Sequence, residues 1–157
     1  MKTHEEWMNE TIQMAVHNVD RGGGPFAALV VRGDVIVGQG VNTVHLQSDP
    51  TAHAELLAIR QACTALGTTD LSDCIVYASG EPCPMCMGAI YWAKPKAVYY
   101  ACSKKEAAAA VQFPDPLKNY WEEMKRPAEQ RSISLEKLSP ASSLAPFQRW
   151  SERSNQS

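Results

Sequence analysis

The sequence predicts an α/β fold, a three-layer α/β/α sandwich whose mixed central sheet has helices on both faces. Two observations carry this prediction. Amphipathic helical stretches and short β-rich runs follow one another in the order α-β-β-α-β-α-β, which suits a sheet covered by helices. The first two runs form a hairpin, whereas a helix separates the last two, which should therefore be parallel with a right-handed crossover. A chain of 157 residues can bury a substantial core as one compact domain.

The first half of the chain contains the helix, hairpin and second helix of this order. The predicted elements are a helix over 5–19, strands over 26–32 and 35–41, and a helix over 51–66. Glycines after Arg21 end the first helix. Gly33-Asp34 forms the tight hairpin turn, so Gly33 should have a positive φ. Asp49 and Thr51 can cap the second helix, and Gly67 can end it.

The second half completes the sheet and then becomes less regular. The predicted elements are a strand over 74–78, a helix over 84–93, a strand over 97–101, a helix-prone stretch over 107–110, a loop over 113–116 and a helix over 117–125. Prolines 82 and 84 introduce the helix at 84, and Lys94-Pro95 ends it. We predict a core domain over 1–138 and a C-terminal segment over 139–157. Phe147 and Trp150 in that segment need a surface to cover.

Composition narrows the classes of function. A net charge of -2 argues against a nucleic-acid-binding protein, because phosphate binding needs clustered Lys and Arg. No stretch reaches the roughly 20 apolar residues of a membrane helix, and the acidic start differs from a signal peptide. We therefore expect a cytoplasmic protein without a membrane partner. Five cysteines, an odd number, suggest reduced thiols or metal ligands.

Two short motifs supply the ligands of a catalytic zinc ion. His53-Ala-Glu55 begins one predicted helix, and Pro82-Cys-Pro-Met-Cys86 begins another. A catalytic zinc keeps three protein ligands and one open position, and a Cys-x-x-Cys turn directs two sulfurs to one side. The combination H-x-E…P-C-x-x-C is typical of zinc deaminases, in which the glutamate is an acid/base and not a ligand. We predict that His53, Cys83 and Cys86 bind one Zn²⁺ and that Glu55 moves protons.

Other interpretations of these residues remain. A structural zinc protein would need a fourth protein ligand, and a lone Cys-x-x-Cys also occurs in redox pairs. An RNA-editing deaminase would keep the same chemistry but should show a basic, aromatic surface beside its pocket. The other three cysteines have no such neighbours and are interpreted as small buried hydrophobes, at Cys63, Cys74 and Cys102.

The chain resembles the cytidine deaminase superfamily, and within it the bacterial guanine deaminase branch. The resemblance rests on Gly24–Ala27, Asn42, Asp49–Glu55, Glu81–Trp92 and Ala145–Trp150. It implies a cytidine deaminase-like sandwich that converts guanine into xanthine and ammonia with one zinc per chain. It also implies a homodimer, domain-swapped so that the C-terminal segment of one subunit closes the active site of the other. The alternative substrates are tRNA adenosine (A-to-I editing), another aminopurine, a pterin or an aminotriazine.

The same resemblance implies roles for residues outside the zinc motifs. Asn42 would hydrogen-bond the purine, Phe26 and His53 would pack against its faces, and the Ala54 N–H would meet its carbonyl. Asp115 would be a second catalytic acid that contacts the leaving amino group, and Trp92 would belong to the substrate-binding set. Gly80 departs from the family, whose members often have Cys there.

Overall fold

A computed structural model describes residues 1–112 and 114–155, so Phe113 of the predicted 113–116 loop lies outside the described residues. Residues 1–117 contain the helices α1 (His4–Asp20), α2 (Val44–Gln47), α3 (Ala54–Leu66), α4 (Pro84–Ala93) and α5 (Lys104–Ala110). The strands are β1 (Ala27–Arg32), β2 (Val35–Val41), β3 (Cys74–Gly80) and β4 (Ala97–Cys102). No helix in the described ranges has the length and hydropathy needed to cross a membrane.

The strands form one mixed sheet in the order β2-β1-β3-β4. β1 runs antiparallel to both β2 and β3, and β3 runs parallel to β4 through the α4 crossover. Gly33 in the β1–β2 turn has a φ of 63°, as the hairpin requires. The predicted hairpin and the predicted parallel pair are both confirmed.

Alternate side chains of β1 pack into two separate hydrophobic clusters, one on each face of the sheet. Leu29 and Val31 pack with Trp7 of α1 on one face of the sheet. Ala28 and Val30 pack with α3 and α4 on the other face. Because successive side chains of a strand point to opposite faces, β1 is buried on both sides, with one helix layer on each. This arrangement is the predicted α/β/α sandwich.

Two helix starts differ from the sequence prediction for local reasons. The second long helix begins at Ala54 and not at residue 51, because the Asp49 carboxylate accepts the Thr51 N–H at 2.9 Å and forms a turn before the helix. The short helix α2 in the preceding loop was not predicted. The stretch at 107–110 extends back to Lys104, because Ser103 and Glu106 form a capping box.

Backbone contacts divide the chain into two units, Met1–Leu117 and Lys118–Ser157. The second unit contains α6 (Tyr120–Met124), which is shorter than the predicted 117–125 helix, a 3₁₀ turn at Ala128–Gln130, and α7 (Ala145–Ser154). Phe147 and Trp150 of α7 are 71% and 74% exposed. The functional division into a core over 1–138 and a segment over 139–157 stays a prediction.

Two glycines allow α3 to lie directly on β2. A Cβ at Gly38 would fall 2.3 Å from the Ala58 carbonyl oxygen, and a Cβ at Gly40 would fall 2.3 Å from the Ala54 carbonyl oxygen. Neither distance is possible for a real side chain, so the helix and the strand are in backbone contact. This contact fixes the position of α3 along the direction of β2 and therefore the position of the helix N-terminus.

We expect Gly40→Ala to lower the free energy of unfolding by about 1–3 kcal/mol, the usual cost of overpacking. The added methyl group meets helix backbone, which cannot rotate away. Gly88→Ala in α4 is the control, because its Cβ would meet nothing within 4 Å and alanine favours a helix by about 0.5–1 kcal/mol. Chemical denaturation measures both, and a wild-type midpoint for Gly40→Ala would contradict the close contact.

Candidate metal centre and catalytic site

The predicted site residues gather at one end of the sheet. Phe26 precedes β1 and Asn42 follows β2, and the Asn42 N–H donates to the Phe26 carbonyl at 3.0 Å. β3 runs antiparallel to β1, so its last residue, Gly80, lies at the same end, and α4 begins shortly after it. Gly40 places the start of α3 there as well. Four chain segments that are distant in sequence therefore converge on one location.

Helices α3 and α4 begin with residues that are poor caps. His53 is the N-cap of α3 and Cys83 is the N-cap of α4, and neither side chain makes a capping hydrogen bond. By contrast, α1 and α5 begin with complete capping boxes at Thr3 and Ser103. Replacing a good N-cap costs about 0.5–2 kcal/mol per helix. The two positions that would stabilise the helices are thus occupied by potential metal ligands.

His53, Cys83 and Cys86 have the geometry of a zinc site. Their ligand atoms all lie within 4.8 Å of one another, and His53 Nδ1 is 3.5 Å from each sulfur. Ordinary Zn–N and Zn–S bond lengths at a tetrahedral angle place nitrogen and sulfur about 3.6 Å apart. The residues therefore fit a zinc ion without rearrangement. In the described ranges no fourth His, Cys, Asp or Glu joins this group, which argues against a structural site with four protein ligands.

The two thiols are electrostatically unequal. A hydrogen bond from Cys86 lowers the pKa of Cys83 to about 4, and His53 contributes in the same direction. The pKa of Cys86 is raised, first by this same bond to Cys83 and then by burial. The pKa of His53 is raised by its hydrogen bond with Cys83. The trio alone therefore favours one thiolate, and a metal that binds both sulfurs must displace a proton.

Glu55 lies beside the trio in the first turn of α3. It is only 6% exposed, and burial raises the pKa of its carboxyl, while a hydrogen bond with Cys86 acts in the opposite direction. A buried carboxyl whose pKa is raised toward neutral pH can both accept and donate a proton. The structure thus places a buried carboxyl next to the trio, at the position where the His-x-Glu spacing predicts an acid/base group.

The residues predicted to contact substrate fall into two groups. Phe26, Asn42 and Ala54 lie at the same end of the sheet as the ligands. Ala54 is the first residue of α3, so its N–H has no intrahelical acceptor. A Cβ at Gly80 would lie 3.0 Å from the Phe26 ring. Gly80 therefore leaves room for this ring.

Asp115 and Trp92 are not brought to the ligands by any described contact. Asp115 is exposed, and its carboxylate accepts the Leu117 N–H at 3.0 Å. Trp92 is 86% exposed near the end of α4, about 14 Å along the helix axis from Cys83. Both assignments stay predictions.

Sequence reasoning missed one buried polar residue of this region, Asn18. Together with Trp7, Thr11 and Ala15 it forms the stripe of α1 that faces the sheet. The available signal was its position: an Asn at the helical period of the buried stripe, just before a run of glycines.

Comparison with known proteins agrees with this site. Residues 1–102 match the cytidine and deoxycytidylate deaminase zinc-binding region. A guanine deaminase from Bacillus subtilis is 46% identical over 97% of this chain and 96% of its own. Its X-ray structure superposes with a TM-score of 0.89 over 96% of this chain and 95% of that one.

More distant relatives share the fold. A guanine deaminase structure from Nitrosomonas europaea has a TM-score of 0.67 and 30% identity, covering 78% of this chain and 73% of that one. A tRNA-specific adenosine deaminase from Aquifex aeolicus is 34% identical over 69% of this chain and 73% of its own. The Bacillus subtilis guanine deaminase is more similar in sequence than the adenosine deaminase, 46% against 34% identical, and its match covers more of this chain, 97% against 69%. The chain therefore belongs to the cytidine and deoxycytidylate deaminase zinc-binding family, in the branch of the bacterial guanine deaminases.

Proposed function

We propose that the protein is a zinc-dependent aminohydrolase that converts guanine and water into xanthine and ammonia. The observation that carries this proposal is the group of His53, Cys83 and Cys86, spaced for tetrahedral zinc, beside the buried carboxyl of Glu55. The guanine assignment is supported by the likeness to the Bacillus subtilis enzyme over nearly the whole chain. We place the reaction in the breakdown of purine bases.

The chemistry divides between the metal and Glu55. When bound, zinc lowers the pKa of a coordinated water from about 15.7 to about 7. The Glu55 carboxylate takes a proton from the attacking water and delivers it to the ring nitrogen next to the amino-bearing carbon. The same carboxyl then takes the remaining proton from the oxygen that has been added to the carbon and delivers it to the amino group, so that the C–N bond breaks, ammonia leaves and the carbon becomes a carbonyl. Burial suits Glu55 to both roles, because it weakens the preference for the ionised form.

The base would be held at the end of the sheet where the metal ligands lie. The Asn42 amide would hydrogen-bond the purine, the Phe26 ring would pack against its face, and the Ala54 N–H would donate to its carbonyl. Asp115 is proposed as a second acid near the leaving amino group, with Trp92 in the same binding set. Unpaired polar groups would penalise a base with the wrong donors and acceptors.

We further propose a domain-swapped homodimer in which the segment 139–157 of one subunit covers the active site of the other. Phe147 and Trp150 lie three residues apart on α7, so they share one face of the helix, and both are exposed. Excluding water from the site would strengthen the electrostatic action of Glu55. The five cysteines are free thiols, which suits the reducing cytoplasm we propose as the location.

Two variants separate metal binding from proton transfer. Cys83→Ala should lose the zinc and with it the activity, because a three-ligand site cannot spare a thiolate. Glu55→Gln should retain about one zinc per chain yet lose on the order of 10²–10⁴ in kcat. Metal analysis and steady-state kinetics on both proteins check this. Zinc retained by Cys83→Ala, or near wild-type kcat in Glu55→Gln, would contradict the assigned role.

An ammonia-release assay tests the substrate. We expect turnover of guanine and none of free cytosine or adenine, because Asn42 and the Ala54 N–H would face the wrong ring edge. Nucleosides, pterins, aminotriazines and a tRNA anticodon stem complete the panel. Efficient turnover of the anticodon stem without turnover of guanine would instead assign the protein to the tRNA adenosine deaminases.

The tail is tested in the full-length chain. Phe147→Ala/Trp150→Ala should lower guanine turnover at least about tenfold and leave the zinc in place. Trp121→Ala, which removes another exposed aromatic of the same unit, is the control and should have little effect.

Mixed dimers then show which subunit the tail serves. The double variant is refolded together with full-length Glu55→Gln. A swapped dimer recovers activity, because one site combines an intact Glu55 with an intact tail from the partner. Heterodimers that form but stay inactive would contradict the domain swap. Unchanged turnover in the double variant would contradict the proposal that the segment 139–157 covers the active site.

A further inference from the structure

Asn18 connects α1 to the two segments that carry the proposed substrate contacts. Its side chain is 2% exposed. The Nδ2 group donates to the Gly24 carbonyl at 2.8 Å and to the Asn42 carbonyl at 2.9 Å. An amide group has two N–H donors, so both are used across the loop that follows α1 and the end of β2. A buried polar side chain with both donors engaged holds its partners in one arrangement.

These bonds act on Asn42 in particular. Its carbonyl accepts from both Asn18 Nδ2 and the Gly24 N–H, the latter at 3.2 Å, and its N–H donates to the Phe26 carbonyl. Its side-chain Oδ1 accepts the Val44 N–H at 3.2 Å. Every polar group of Asn42 except Nδ2 therefore has a described partner within the protein. The remaining amide group is the one left to meet a ligand.

The loop packs so closely on the two amides that it needs glycine. A Cβ at Gly23 would lie 2.3 Å from Asn18 Nδ2, and a Cβ at Gly24 would lie 2.8 Å from Asn42 Cγ. The Gly23 N–H also donates to the Asn18 carbonyl at 2.8 Å. Asn18, the glycine loop and Asn42 thus form one interlocked unit, in which a shift of Asn18 is passed on to Asn42.

We infer that Asn18 is a positioning residue for substrate binding, which sets the affinity for the base by fixing Asn42. This inference rests on the proposed function, since it takes Asn42 as the contact to the purine. Asn18 lies on α1, which packs on the face of the sheet opposite α3 and α4, and its described side-chain hydrogen bonds go to Gly24 and Asn42 and not to a metal ligand. Its loss should change how the base is bound and leave the zinc and Glu55 in place.

The test is steady-state guanine kinetics on the zinc-loaded, full-length protein. Asn18→Asp keeps the shape of the side chain but replaces the donor with a carboxylate, which faces two carbonyl oxygens. We expect KM to rise about tenfold or more with kcat changed less than about threefold and zinc content unchanged, as for lost ground-state positioning. Asn9→Asp, an exposed asparagine of the same helix, is the control and should keep the wild-type KM. If Asn18→Asp does not fold, Asn18→Ala makes the same test.

A double-mutant cycle with Asn42→Ala tests whether the change in KM caused by Asn18→Asp is transmitted through Asn42. If Asn18 acts through Asn42, adding Asn18→Asp to Asn42→Ala should change KM by less than about twofold. Full additivity, or a lower unfolding midpoint with an unchanged KM, would overturn the inference. The two failures are distinguishable. A wild-type KM in Asn42→Ala refutes the proposed substrate contact. A KM that is raised by Asn42→Ala and not by Asn18→Asp refutes the role of Asn18.

Discussion

The backbone contact between α3 and β2 is the constraint on which the rest of the site depends. Gly38 and Gly40 leave no room for side chains, so the helix has only one height along the strand. That height brings His53 and Glu55 to the end of the sheet. The parallel crossover through α4 brings Cys83 and Cys86 to the same end, because β3 ends there. A loosely packed helix could slide by a fraction of a turn, and the three ligand atoms would then no longer meet.

The converging helix ends also determine the charge of the site. Glu55, Cys83 and Cys86 can each carry a negative charge, and the positive ends of two helix dipoles offset only part of it. The pKa of Cys83 is lowered by its hydrogen bond with Cys86, whereas that same bond raises the pKa of Cys86 and burial raises the pKa of Glu55, so without a metal the negative charge rests mainly on Cys83. A divalent cation held by Cys83 and Cys86 would favour both thiolates, since two thiolates would neutralise its charge once Cys86 has lost its proton. The absence of capping side chains at His53 and Cys83 is consistent with ligand positions chosen for the metal rather than for helix stability.

Local signals in the sequence were sufficient for the fold and for the metal side of the site. Pro84 and Lys94-Pro95 set the bounds of α4 correctly, and Gly33 set the hairpin turn. The His-x-Glu and Cys-x-x-Cys spacings each lie within a single helical turn, so the pattern alone brings those side chains together. Asn18 could not be found in this way, because its partners Gly24 and Asn42 are joined to it by hydrogen bonds across separate elements. The start of α3 was misplaced for a related reason, since the Asp49 turn competes with helix initiation.

The metal side and the substrate side of the site are supported by different parts of the fold. The ligands and Glu55 depend on the N-termini of α3 and α4 over one face of the sheet, whereas Asn42 and Phe26 depend on the glycine loop and on α1 over the other. Under the proposed function, changes in the loop would therefore alter how the base is held and leave the metal ligands in place. The relatives named for guanine and for tRNA adenosine show that this fold carries more than one class of substrate. Under the proposed function, the segments around Gly24 and Asn42 would hold the base, and their hydrogen bonds would set where the Asn42 amide lies.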